Sequence, residues 1–158
     1  MAPRYDTPDA LVERAREAWR ESFRNFTVFD VLHDRGSPLD ALLYAHLFWP
    51  RFVVLHGMTF LLASVEDEAD ERRISEAMRK WNDQTKVEES FNFVEIAALF
   101  GRRKGESEAE GDRVLAEVLV ETWSAKLQRD FPDKRFRVVL VEATASEEVG
   151  VTFYEERT

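Results

Sequence analysis

The strongest constraint on folding is an apolar segment of the chain that has to be removed from water. Residues 41–65, ALLYAHLFWPRFVVLHGMTFLLASV, carry one formal charge, at Arg51. A membrane-spanning helix needs about 20 apolar residues in succession, whereas Pro50 and Arg51 interrupt this segment near its middle. An arginine at the centre of a bilayer costs about 3 kcal/mol on insertion scales. The sequence therefore predicts a buried core segment and no membrane association.

Two structures fit this segment. The Ser37-Pro38-Leu39-Asp40 sequence is typical of a helix start, and Pro50 should end that helix at about Phe48. The sequence RFVVL, then His56-Gly57, then MTFLL fits a tight hairpin, because both turn residues tolerate a positive φ. One kinked helix over residues 38–64 is the alternative. The β-branched residues between the proline and the glycine favour the hairpin.

The rest of the chain adds helices and a second hairpin. Helices are expected from Thr7 to Phe26, after Ser64, from a capping box at Thr85–Glu88 to Gly101, and from a cap at Asp112. Two strands follow at 136–141 and 149–154, and the first is expected to be central because both its faces are apolar. The order α-α-β-β-α-α-α-β-β predicts an α+β fold, with an antiparallel sheet of about four strands, formed by the two hairpins, covered by four to five helices.

One domain accounts for the whole length. The chain has 158 residues, which is within the usual range for a single domain. A folded chain of this size buries roughly 70% of its extended surface, enough for an apolar core. Residues 101–112 are polar and contain three glycines. We expect them to form a flexible surface loop within a single domain that covers residues 1–158.

Charge and cysteine content exclude several functions. The chain has 22 Lys and Arg against 31 Asp and Glu, a net charge of −9, and the excess lies mainly in the middle third. A field of this sign repels phosphate backbones, which disfavours nucleic-acid binding. No cysteine is present, so thiol nucleophiles and thiolate metal sites are excluded. The N-terminal stretch carries charges throughout and lacks the apolar core of a signal peptide, so a cytoplasmic protein is expected.

The aromatic sequence FWPRF marks a candidate ligand site. Its candidate residues are His46, Trp49, Arg51 and His56. An aromatic wall would contact the apolar part of a small molecule, a histidine would act as general base, and the arginine would bind an anion. This hypothesis predicts a deep pocket that at least one of the histidines faces. The alternatives are an ordinary aromatic core, with His56 as a turn residue, and a dimer interface.

A run of acidic residues forms a candidate partner-binding surface at the start of the helix expected after Ser64. Its members are Glu66, Asp67, Glu68, Asp70 and Glu71. Negative charge at a helix N-terminus is stabilising in itself, so a structural explanation competes with the functional one. If the run binds a basic partner, its neutralisation should weaken the complex in a salt-dependent way.

One basic cluster, Arg102, Arg103 and Lys104, lies in the polar loop and is a candidate anion-binding site. Cations just after a helix C-terminus also stabilise the helix, so the cluster has a structural explanation as well. The three histidines are not arranged in an HExxH pattern and no calcium-loop pattern is present. We expect no metal and no cofactor.

No catalytic motif is present, so charge and composition have to carry the functional prediction. We predict a non-enzymatic protein-binding module of the inhibitor or immunity, chaperone or adaptor type, whose partner is another protein, with a homodimer as a further option. The alternative is a small-molecule-binding protein or enzyme that uses an aromatic pocket with His46 or His56 and Arg51.

Overall fold

A computed structural model describes residues 27–101 and 109–157, together with positions 9, 10, 13 and 17. The fold class is confirmed as α+β, with two antiparallel sheets. In chain order the elements are α1 (Val28–Arg35), α2 (Pro38–Phe48), β1 (Phe52–Leu55), β2 (Met58–Leu61), a 3-10 turn (Leu62–Ser64), α3 (Glu68–Trp81), α4 (Gln84–Phe91), β3 (Val94–Glu95), α5 (Ile96–Leu99), α6 (Ala109–Asp130), β4 (Phe136–Val141) and β5 (Gly150–Glu155).

The chain divides into two compact units, Met1–Leu47 and Phe48–Thr158. The single domain stays a prediction. Most of the helix expected from Thr7 to Phe26 lies outside the described residues. Helix α6 begins at Ala109, ahead of the expected cap at Asp112.

The hairpin expected in the apolar segment is confirmed. Strands β1 and β2 pair antiparallel, with Phe52 opposite Leu61 and Leu55 opposite Met58. His56 and Gly57 connect them with φ values of 51° and 78°. A two-residue turn with both residues at positive φ matches the right-handed twist of the strands that it joins. The kinked-helix alternative is therefore wrong.

The two hairpins do not combine into one four-stranded sheet. Strands β1 and β2 form a sheet of their own, and the second sheet has the order β3-β5-β4. The expectation that residues 136–141 form the central strand is wrong, since β4 lies at the edge and β5 in the middle. β5 is the more buried of the two strands, with Gly150 to Phe153 all buried. Its apolar environment comes from packing, which strand alternation alone does not reveal.

Two polar side chains at the C-terminal end of α4 take the place of a third strand beside β2. Glu88 Oε1 accepts the backbone N–H of Thr59 at 2.7 Å, and Asn92 Oδ1 accepts that of Leu61 at 3.0 Å. Asn92 Nδ2 donates to the carbonyl of Thr59 at 2.9 Å. Asn92 is the C-cap of α4 and lies one helical turn after Glu88, with its backbone N–H bonded to the Glu88 carbonyl. The two side chains therefore bond the outer edge of β2 as a neighbouring strand would.

The same two side chains also bond β5. Glu88 Oε2 accepts the N–H of Glu155 at 2.9 Å, and Asn92 Nδ2 donates to the carbonyl of Phe153 at 3.2 Å. The backbone edges of β2 and β5 are thus joined by side chains of a helix and not by each other. The single helix expected from a capping box at Thr85–Glu88 to Gly101 is wrong. Asp83 is the N-cap of α4 and accepts the N–H of Lys86, and α4 ends at Phe91, ahead of strand β3. Glu88 instead accepts backbone N–H groups from strands of both sheets.

Arg157 supplies the counter-charge for the fully buried Glu88. Its Nη1 lies 2.7 Å from Glu88 Oε2 and its Nη2 lies 2.9 Å from Oε1, a bidentate pairing. Nη2 also contacts Glu155 Oε2 at 3.2 Å. The hydrogen bond to Glu88, more than its coulombic attraction, raises the pKa of the Arg157 guanidinium above its usual value. The bidentate pairing offsets part of the cost of removing the Glu88 carboxylate from water.

The core of the second unit has two parts, one on each face of the β1–β2 hairpin. Towards α3 and α4, the buried side chains are Met58, Phe60, Ile74 and Val87. On the other face, Phe153 makes edge contacts with the rings of Phe52, Trp123 and Phe136. In α6, Leu119, Trp123 and Leu127 are buried at a spacing of four residues.

Candidate functional site

The four residues of the predicted ligand site are all exposed. His46 lies on α2 in the first unit, and Trp49, Arg51 and His56 lie in the second. Trp49 keeps 41% of its surface exposed, and Lys126 Nζ lies 5.8 Å from the centre of its ring. The Nε2 of His56 is 3.5 Å from Ser75 Oγ. Backbone geometry accounts for His56, and the ligand-binding role of the four residues stays a prediction.

The acidic residues at the start of α3 divide into two groups. Asp67 is the N-cap and accepts the N–H groups of Ala69 and Asp70. Asp70 forms an ion pair with Arg73 at 3.1 Å, and Glu68 lies 3.9 Å from Arg72. Helix capping and charge pairing account for these three acids.

The carboxylates of Glu66 and Glu71 form no ion pair with another described residue. Both residues are exposed. They are the members of the acidic run that the folding of α3 leaves available to a partner, and the partner-binding role of the run stays a prediction.

The remaining candidates concern anions, metals and membranes. Arg102, Arg103 and Lys104 lie outside the described residues. Within the described ranges, no group of three acidic or histidine side chains is arranged to hold a metal ion. No helix in the described part of the chain is both long enough and apolar enough to span a bilayer.

Two consecutive helices of the first unit, α1 and α2, are connected at Gly36 and Ser37 and carry the most unusual surface. Thr27 caps α1: its hydroxyl accepts the N–H of Asp30, whose carboxylate accepts the N–H of Thr27 at 2.6 Å. That backbone bond, followed by the bond from the Thr27 hydroxyl, lowers the pKa of the Asp30 carboxyl. Ser37 then starts α2 by accepting the N–H of Asp40 at 3.0 Å. Local polar contacts therefore define both helix starts.

The apolar side chains of α1 and α2 are not buried. Neither α1 nor α2 contains a single buried residue. Phe29 keeps 81% of its surface exposed, Leu39 67% and Leu42 62%. The exposed large apolar side chains are Val28, Phe29, Leu32, Leu39, Leu42, Leu43 and Tyr44. We call these seven the hairpin surface.

The exposure of α2 corrects an expectation. The sequence predicted burial of the whole segment 41–65, but within it only Pro50 and the four residues of β2 are buried. In β1, Val54 is exposed and the other three residues are half-buried. The Leu, Tyr and Ala side chains of α2 point to all sides of the helix. The sequence therefore has no polar face that would indicate which side meets solvent. Exposed large apolar side chains on neighbouring turns are candidates for an interaction site. The hairpin surface is the feature that sequence reasoning missed.

Comparison of the chain with protein-family models, with curated proteins and with solved structures finds no match.

Proposed function

We propose that the protein is a non-enzymatic protein-binding module that captures another polypeptide through the hairpin surface. The observation that carries the proposal is the exposure of seven large apolar side chains on two adjacent helices. Helices that present apolar faces bind grooves of complementary shape on partner proteins. Removing each such side chain from water contributes about 1.5–3 kcal/mol to association. Capture of a partner in this way fits the inhibitor or immunity, chaperone and adaptor types expected from the sequence.

The charges beside the hairpin surface favour a protein over a lipid surface. α1 and α2 carry Asp30, Asp34 and Asp40 against a single Arg35. Helices that lie on membranes are rich in Lys and Arg, because anionic lipid headgroups attract them. Three acids on two short helices, in a chain of net charge −9, oppose that attraction.

The same charges favour a different protein over a second copy. A symmetric dimer through the hairpin surface would bring the aspartates of one copy close to those of the other, and like charges at an interface are costly. The partner that fits has an apolar groove with Lys or Arg at its rim. The net charge of −9 attracts such a partner over long range, and the unpaired carboxylates of Glu66 and Glu71 contribute to it. We include the cytoplasmic location expected from the sequence in this proposal.

Photo-crosslinking identifies the partner and locates its contact in one experiment. A photoreactive phenylalanine analogue is placed at Leu43, and at exposed Glu121 on α6 as a control. We expect one protein to crosslink in the host cell from Leu43 and not from Glu121. Binding of that purified protein should weaken about 30-fold on Leu43→Ser, since about 2 kcal/mol of apolar burial is lost. Glu121→Gln should leave binding unchanged.

The salt dependence separates the apolar and electrostatic contributions. Glu66→Gln with Glu71→Gln should slow association and flatten its dependence on salt, while dissociation changes little. The proposal fails if Leu43 crosslinks only to lipid or to another copy of the chain, or if Leu43→Ser binds the captured protein as tightly as the unchanged chain.

A further inference from the structure

We propose that the second unit contains a separate binding site for a zwitterionic ligand of the amino-acid or short-peptide type. The site is a cavity of about 420 Å³ between α4 and the end of the second sheet. Volumes of 300–1,000 Å³ are typical of sites for small molecules. Its lining residues are Trp81, Lys86, Glu89, Ser90, Phe93, Val141, Glu147 and Thr152. This inference is independent of the hairpin surface.

One face of α4 supplies the polar wall of this cavity. Lys86, Glu89 and Ser90 are spaced three and four residues apart, so their side chains leave the helix on the same side. The hydroxyl of Thr152 donates to the carbonyl of Glu89 at 2.6 Å, which ties α4 to β5 directly beneath the cavity. The polar groups therefore stand on a rigid part of the fold.

Two aromatic side chains supply the apolar walls. The Nζ of Lys86 lies 5.1 Å from the centre of the Trp81 ring, within the range of a cation–π contact. Phe93 lies against Gly150, where a Cβ atom would come within 2.3 Å of the Phe93 ring. Because no side chain larger than hydrogen fits at Gly150, that contact fixes the position of the Phe93 ring.

Glu147, in the loop between β4 and β5, lines the cavity. Thr144 holds this loop in a tight turn: its N–H donates to the carbonyl of Glu147 at 2.7 Å. The N–H of Glu147 in turn donates to the Thr144 hydroxyl at 3.1 Å. The backbone that carries the Glu147 carboxylate is thereby held in place.

The decisive observation is that opposite charges line one cavity without pairing with each other. Lys86 forms no ion pair with any described residue, and the carboxylates of Glu89 and Glu147 form none either. The two carboxylates are thus free to meet a ligand, and the Lys86 ammonium, which contacts the Trp81 ring, forms no competing ion pair. A carboxylate near Lys86 and an ammonium near Glu89 or Glu147 would satisfy both signs at once. The aromatic walls would contact an apolar side chain between them.

A set of three aromatic probes of similar size tests which charged groups of a ligand the site recognises. L-phenylalanine carries both charges, phenethylamine lacks the carboxylate, and 3-phenylpropionate lacks the ammonium. Calorimetric titration of the full chain should show L-phenylalanine binding at least tenfold more tightly than either of the other two. A site for organic cations would instead prefer phenethylamine, and a site for organic anions would prefer 3-phenylpropionate. Either preference overturns the proposal.

Charge-removing variants assign each end of the ligand. Lys86→Met should weaken L-phenylalanine binding about tenfold and leave phenethylamine binding unchanged. Glu147→Gln should weaken L-phenylalanine binding and leave 3-phenylpropionate binding unchanged. Lys80→Met and Glu121→Gln change exposed charges outside the cavity and are the matched controls. If none of the three probes binds, or if the controls weaken binding as much as the cavity variants, the site does not exist.

Discussion

At the scale of single residues, Glu88 connects more of the structure than any other described polar side chain. It is fully buried on α4. It accepts hydrogen bonds from backbone N–H groups of β2 and β5, and it forms a bidentate ion pair with the guanidinium of Arg157. Burying a carboxylate costs several kcal/mol unless charge and hydrogen bonds compensate for it. All four bonds are therefore needed together, and we assign Glu88 a structural role.

Removal of the Arg157 charge should lower the stability of the protein. In Arg157→Met, Glu88 keeps its two backbone donors but loses its cation, so a buried charge remains without a partner. We expect the free energy of unfolding to fall by about 3 kcal/mol, the lower end of the range for breaking a buried pair, because Arg157 is partly exposed. Urea denaturation measures the change. Arg129→Met, at an exposed position on α6, should change stability by less than about 0.5 kcal/mol.

At the scale of the elements, the β1–β2 turn depends on backbone conformation and not on the chemistry of the imidazole. His56 has a φ of 51°, which costs a β-branched residue about 1–2 kcal/mol but suits asparagine. We expect His56→Val to destabilise the protein by that amount and His56→Asn to leave its stability unchanged. Thermal denaturation compares the two variants, both of which lack the imidazole near Ser75. Equal losses in both would show that the imidazole itself contributes.

Local conformational preference explains which elements the sequence predicted. The β1–β2 hairpin follows from a proline, a run of β-branched residues and a turn that tolerates positive φ, all within residues 50–62. The starts at Ser37 and Asp67 follow from side chains that bond the next backbone N–H groups. Such signals act over a few residues, so the sequence displays them directly.

The sheet arrangement depends on contacts between distant parts of the chain. Glu88 bonds Thr59, 29 positions away, and Glu155, 67 positions away. Read locally, Glu88 fitted the pattern of a capping box, because nothing nearby indicates that it reaches two strands. The two-residue strand β3 likewise forms only because β5 lies beside it. Non-local pairing of this kind leaves no periodicity in the sequence.

The candidate sites were harder to predict than the fold. The residues that were singled out for ligand binding stand out by type, as histidines and an arginine in an apolar segment. The cavity beside α4 joins residues from Trp81 to Thr152 whose types are ordinary one by one. The hairpin surface was hidden for another reason: its apolar residues fit a core as well as an interface.

At the scale of the whole molecule, the second unit contains all the elements of both sheets. Its two core regions are formed by residues after Phe48, on the two faces of the β1–β2 hairpin. The Glu88–Arg157 pair and the cavity beside α4 lie within the same unit. A region that has its own apolar core, and that pairs its buried charges within itself, has what an independently folding domain requires.

We therefore expect the fragment of residues 48–158 to fold without the first unit. It should unfold in a single cooperative transition, with near-ultraviolet circular dichroism from the packed rings of Trp123 and Phe153. Arg157→Met in the fragment should cost the same free energy as in the full chain, because Glu88 and Glu155, which pair with Arg157, both lie in the second unit. A fragment that lacks near-ultraviolet signal and unfolds without cooperativity would contradict this expectation. Residues 1–158 would then form a single cooperative domain, as the sequence predicted.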